Sequence, residues 1–172
     1  MMKTMNCRMA LGISLSGWLL VAGAARAADA PATADVLAKL HESNQKEIAM
    51  GKLAQKNGQS KDVIKFGKML VKDHSAADKK VTALAKKEKV ELPSPPAASH
   101  DDMAKGSDFD SKFAKDMLED HKKDVAEATA ARDNTKDEPL KKLLTELVPT
   151  LQKHQDTAQH IVDSASKDTV GK

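Results

Sequence analysis

Cysteine, tyrosine and tryptophan are nearly missing from this 172-residue sequence, which has one Cys, one Trp, no Tyr and three Phe. Cys7 and Trp18 both fall within residues 1–27. Beyond them the chain has no thiol for a disulfide, a nucleophile or a thiolate ligand, and no Cys-x-x-Cys-His for attached haem. It has no aromatic platform on which sugars or bases would stack. Excess charge is missing as well. The 28 Lys and Arg include Lys3, Arg8 and Arg26, which leaves 25 basic against 25 acidic residues after position 27. A chain so balanced, without Tyr or Trp, is a poor candidate for nucleic acid, which calls for a basic stripe and often stacking groups. No Ser-His-Asp arrangement, Gly-rich phosphate loop or paired-carboxylate motif stands out, so no enzyme class is indicated.

The first residues read as a targeting segment. "MMKTMNCRMA" carries Lys3 and Arg8, "LGISLSGWLLVAGA" is an apolar run too short to cross a bilayer comfortably, and Ala25-Arg26-Ala27 fits a cleavage site. Residues 1–27 are expected to be a secretory signal peptide, which makes the protein periplasmic. Cys7 precedes the apolar run, so the processed chain is expected to carry no lipid and no transmembrane segment.

What remains is helical. A small-residue leader covers residues 28–33, and from Ala34 the positions Leu37, Leu40, His41, Asn44, Ile48 and Gly51 recur at spacings of three and four until "KNGQS" stops them. A second stripe holds Val63, Phe66, Leu70, His74, Ala77, Val81 and Leu84. The Pro-rich stretch "ELPSPPAASHDDMAKGS" ends it. A third stripe aligns Phe113, Met117, His121, Val125 and Ala128, and a fourth aligns Leu140, Leu144, Leu147, Leu151, His154, Ala158 and Ile161. Asp137 or Glu138 ahead of Pro139 suits the start of the fourth helix, while Pro149 inside it should bend it. The pattern predicts one all-α domain over residues 34–166, an antiparallel up-down-up-down four-helix bundle, followed by a frayed tail at 167–172.

The six histidines carry the chemical interest. His74, His121 and His154 stand among apolar residues on their stripes, and His41 lies beside Leu37 and Leu40. His100 and His160 read as solvated. At about 1.5 Å per residue, His41 and His74 sit about 25 and 24 Å from the first turn, and His121 and His154 about 20 and 30 Å from the second. With both turns at one end, the four imidazoles share a layer. Glu47 lies near His41, and Asp73 and Asp120 each precede a histidine. Such a set suits Zn, Cu, Ni or Fe, since neutral imidazole is a borderline ligand that carboxylates can join or orient. The candidate metal residues are His74, His121, His154, Glu47 and Asp73, with His41 as an outlying member. The same groups would also serve as a hydrogen-bonded polar layer of a structural or stress-related interaction bundle without metal. A redox enzyme of the di-iron type calls for Glu-x-x-His on two helices, and no inward histidine has that context.

These residues resemble a known family. Glu47 with Gly51-Lys52-Leu53-Ala54, Met69 with Asp73-His74, Pro93, Gly106 leading into Phe109-Asp110, His121, and Pro149-Thr150-Leu151 followed by His154 and Ala158 are similar to the exported bacterial proteins of domain of unknown function 4142. The resemblance covers residues 34 to about 162. It implies a secreted, ferritin-like four-helix bundle with Glu47, Asp73, His74, His121 and His154 in its polar core, and no established activity. Gly67, Phe113 and Val148 depart from the family's usual Ala, Tyr and Leu, and His41 is not one of its marks.

Overall fold

The computed structural model describes residues 32–94 and 108–170. The expected signal peptide, residues 28–31 of the leader, His100, Gly106 and positions 171–172 of the tail lie outside them. Four helices form, α1 (Thr33–Asn57), α2 (Lys61–Glu88), α3 (Phe109–Asn134) and α4 (Glu138–Val170). Local chemistry sets their ends. Ser60 takes an extended conformation and its hydroxyl accepts from the Val63 N–H at 3.1 Å, capping α2. Lys89 closes α2 in the left-handed region at φ 57°, without the glycine usual there. Asp137 caps α4 by accepting from the Leu140 N–H at 3.0 Å, and its other oxygen accepts from the Thr33 hydroxyl at 2.8 Å. Pro139 then falls in the first turn, where its missing N–H costs nothing. The α4 helix continues through Pro149 and reaches Val170, four residues past the expected end of the domain.

The expected all-α, antiparallel four-helix bundle is what forms, but the order of directions differs from the up-down-up-down one expected. Asp110, at the start of α3, accepts from the backbone N–H groups of Gln59 and Ser60 at 3.0 and 2.6 Å, so α3 begins beside the α1–α2 turn. The Thr33–Asp137 bond places the α3–α4 turn at the opposite end, beside the start of α1. Hence α2 and α3 run parallel and the succession is up-down-down-up. Each helix packs on two neighbours, α1 on α2 and α3, and α4 on α2 and α3. Every one of these neighbouring pairs is antiparallel. The end of α2 and the start of α3 therefore lie at opposite ends of the bundle, a separation within the reach of the intervening residues at about 3.3 Å each when extended, against the roughly 42 Å length of α2.

This direction explains the twin stretches "FGKMLVKDH" and "FAKDMLEDH". Two parallel helices that contribute to the same layers need those layers in the same order and at the same spacing. Phe66 meets Phe113 at 5.9 Å between ring centroids, and eight residues later His74 meets His121 at 5.6 Å.

The interior is divided. One apolar cluster holds Met50, Ala54, Val63, Phe66, Leu70, Phe113, Met117, Ala158 and Ile161 in the half near the α1–α2 turn. A second holds Leu37, Val81, Ala128, Leu140, Leu144 and Leu147 in the other half. Between them lies a layer of buried polar groups, Asn44, Glu47, His74, His121 and His154.

Helices α1 and α2 approach closely enough that glycine is required. A Cβ on Gly51 would stand 2.6 Å from the Gly67 carbonyl oxygen, and one on Gly67 would stand 2.7 Å from both the Gly51 oxygen and the Ala54 Cβ. The obstacle is backbone and cannot rotate away. We expect Gly51→Ala to destabilise the protein by about 1–2 kcal/mol in urea unfolding, because overpacking of up to about 3 kcal/mol outweighs a helix-propensity gain near 1 kcal/mol. Unchanged stability would mean that the two helices separate freely.

Candidate metal centre

Three helices each deliver one imidazole to the polar layer. His74 comes from α2, His121 from α3 and His154 from α4, with relative exposures of 2%, 0% and 0%. Their rings form a compact triangle, 5.6 Å between His74 and His121, 5.1 Å between His74 and His154, and 5.2 Å between His121 and His154. Phe66 closes the layer from below, 6.4 Å from the His121 ring and 6.2 Å from that of His154.

The hydrogen bonds of the triangle assign its protons. His121 Nδ1–H donates to the Met117 carbonyl at 2.9 Å, a partner that only accepts. His154 Nε2–H donates to the Asp73 carboxylate at 3.2 Å. His74 Nδ1–H donates to the Asn44 amide oxygen at 2.9 Å. Each ring has then used its one proton, so His74 Nε2, His121 Nε2 and His154 Nδ1 carry lone pairs. Two of these, His121 Nε2 and His154 Nδ1, face each other at 3.2 Å. The third, His74 Nε2, is buried and has no hydrogen-bond partner among the described residues.

A proton between the facing lone pairs would relieve their repulsion, but the site resists protonation. Burial lowers the pKa of His74 well below its ordinary value, and a charge on His154 or His121 would lower it further. Burial also lowers that of His121, against the pull of its bond to the Met117 carbonyl. His154 is lowered to about 4 by burial, although Asp73 opposes the shift. At neutral pH the triangle is therefore three neutral bases aimed inward. One ligand atom from each lies within 4.8 Å of the others, and among the described residues this is the only such group of three or more His, Cys, Asp or Glu. Bonds of about 2.0–2.1 Å hold two ligand nitrogens no more than about 4 Å apart, so the triangle is slightly wider than a bound ion requires and closes with a small ring movement.

The other expected residues are distributed around it. Asp73 orients His154 from outside the triangle. Glu47 lies in the same layer at 1% exposure with its Oε2 unpartnered, but it does not join the three histidines. Burial, followed by the charges of Asp120 and Asp124, pushes its carboxyl up to about 8, so it is protonated at neutral pH. Asp120 itself pairs with Lys46 at 2.7 Å on the surface. His41 does not share the layer, contrary to expectation. Its Nδ1 meets Asp78 at 2.7 Å, and Gln45 donates to the same carboxylate. The α1–α2 register pairs residue 44 with 74 and 51 with 67, centred on Gln59, so His41 falls one turn beyond the layer. Asn44 takes the place expected for it. Its inward position on the first stripe was visible, and a buried amide there is the signal that assigns it. The Met117 carbonyl is a backbone acceptor and leaves no sequence signal. His160 is exposed, as expected.

A cavity of about 330 Å³ in the half near the α3–α4 turn reaches Asp73, His74 and His154. Its walls are largely apolar, and Asp35, Asp124 and Glu127 also line it, with Lys39 as the one lysine. No helix among the described residues is long and apolar enough to cross a membrane.

Comparison with solved structures gives the same architecture. The chain superimposes on CopM in its Cu(I)-bound form with a TM-score of 0.68 at 18% identity, covering 77% of this chain and 96% of that one. CopM in the apo form gives 0.67 at 18% identity, with coverage of 77% and 96%. The Cu(II)-bound form gives 0.67 at 16%, again covering 77% and 96%. At such identity the likeness is one of fold. No curated protein sequence matches the chain. The family comparison matches residues 20–161, which span all four helices up to the end of the last stripe, and the chain belongs to the family described as Domain of unknown function (DUF4142).

Proposed function

We propose that this protein is a periplasmic binder of a single transition-metal ion, held by His74 Nε2, His121 Nε2 and His154 Nδ1, with Asp73, Asn44 and the Met117 carbonyl orienting the rings from behind. The observation that carries this reading is the triangle of three buried imidazoles, one ligand atom of each within 4.8 Å of the others. A hydrogen-bonded polar layer alone leaves His74 Nε2 buried without a partner among the described residues. A di-iron oxidase draws on several carboxylates, whereas here Glu47 is neutral and Asp73 already accepts from His154.

Copper fits the ligand set best. Imidazole binds copper well, and copper stands at the top of the divalent affinity order. A neutral ligand set in a buried site also favours the monovalent ion, because one net charge next to the Asp73 carboxylate costs less desolvation than two. The solved forms of CopM with Cu(I) and Cu(II) support a bundle of this shape as a copper host.

The test is a titration of the processed, metal-free, untagged protein with Cu(I) under reducing conditions and with Zn(II) in parallel. One equivalent of Cu(I) is expected, and His74→Ala is expected to weaken binding at least about a hundredfold while its far-UV circular dichroism stays helical. Unchanged affinity in that variant would remove His74 from the site.

A further inference from the structure

The overall balance of charge conceals a sharp local imbalance on α2. Lys61, Lys65, Lys68, Lys72, Lys79 and Lys86 are all exposed. At about 100° per residue they fall within a sector about 60° wide, along a line about 37 Å long. The buried residues of the helix, Val63, Phe66, Leu70, His74, Val81 and Ala85, lie on its opposite side. The lysine line is therefore the outermost ridge of α2, away from the other three helices. The acidic residues of the helix, Asp62, Asp73, Asp78 and Glu88, point about 100° or more away from it. Asp73 and Asp78 are moreover engaged with His154 and His41.

Some lysines of the bundle are held in ion pairs: on α3, Lys112, Lys122 and Lys123 each pair with an acid three or four residues away, and Lys80 on the flank of α2 pairs with Glu146. None of the six ridge lysines forms an ion pair among the described residues. Between them the ridge carries the small side chains Ser75, Ala76, Thr82 and Ala83, with the half-buried Ile64 on its flank.

We propose that this ridge docks the protein on an anionic lipid surface. A straight outer ridge lets all six ammonium groups touch one plane together, and clusters of four to eight basic residues are what anionic bilayers attract. A DNA duplex fits less well. Helix α2 is flanked by α1 and α4, so it cannot enter a major groove about 12 Å wide, and the chain offers no stacking aromatics. Such attachment is electrostatic, peripheral and reversed by salt.

The test is co-sedimentation of the processed protein with phosphatidylcholine vesicles containing about a third phosphatidylglycerol, at low salt and at about 0.5 M. Binding is expected at low salt, with loss at high salt and on pure phosphatidylcholine. The triple change Lys65→Gln, Lys68→Gln and Lys72→Gln is expected to weaken it about a hundredfold, at roughly fivefold per lysine. The control Lys115→Gln, Lys122→Gln and Lys123→Gln, equal in charge but on α3, should weaken it less than about threefold. All six positions are exposed, so both variants should fold. No vesicle binding at low salt, equal losses in the two variants, or tighter binding to a short DNA duplex than to the vesicles would each overturn the proposal.

Discussion

Glu47→Gln is expected to raise the unfolding free energy at pH 8 by about 3–4 kcal/mol and to change it by less than about 1 kcal/mol at pH 5. The carboxyl is buried in the polar layer and near the Asp120 and Asp124 charges, which together push its pKa up to about 8 from 4.5. Between those two values the unfolded chain releases the proton and the folded chain keeps it. The native state therefore binds more protons there, and its stability falls as pH rises from 4.5 to 8. Glutamine is neutral in both states and removes that slope. Urea unfolding of both proteins across this range provides the check, and it is the difference in slope that is diagnostic, since the amide alters local contacts at every pH. Parallel curves for wild type and variant would show that Glu47 is ionised in the native protein.

Acidification of the metal-free protein should have the opposite sign and a comparable size. The three ring histidines have native pKa values held below their ordinary 6.5 by burial, that of His154 at about 4. From pH 6.5 down, the unfolded imidazoles take up protons that the folded triangle refuses. Their contribution is complete above the unfolded pKa and is lost as pH falls toward the folded one. His154 alone accounts for about 3 kcal/mol by pH 4, with His74 and His121 adding in the same direction. In the wild type Glu47 partly masks this loss between pH 6.5 and 4.5, because its own effect runs the other way. The loss should be steepest in the Glu47→Gln background and shallower by about one proton when His154→Gln is added. Loading with Cu(I) before acidification should delay it, since the ion occupies the lone pairs that protons would take. A flat stability profile from pH 7 to pH 4 in Glu47→Gln would mean that the histidines are hydrated in the native protein.

The helical stripes in the sequence already put His74, His121 and His154 inward, because a period of 3.6 residues with Leu, Val, Met and Phe as neighbours leaves no other face for them. Their common height was also legible, for a reason independent of topology. All three lie near the middle of their helices, so reversing the direction of the second hairpin moves them little. The direction itself was not legible. A Pro-rich connection of some twenty residues is long enough either to loop back or to cross the bundle, and only the Asp110 and Asp137 contacts decide between the two. His41 shows the limit of counting along a helix. Its height was close to that of His74, but the register differs by a turn and its ring meets Asp78. The tautomers were beyond sequence altogether, since two of them depend on a backbone carbonyl and on an amide from another helix.

The divided interior has a consequence for how the molecule opens. One imidazole of the triangle belongs to the first hairpin and two to the second, and the chain joins those hairpins only through residues 89–108. An ion held by all three acts as a rivet at the waist between two separate apolar clusters. Slow amide hydrogen exchange in the metal-loaded protein should therefore spread outward from residues 70–78, 117–125 and 150–158 together. In the metal-free protein the two halves are free to open as separate units, each with its own exchange rate.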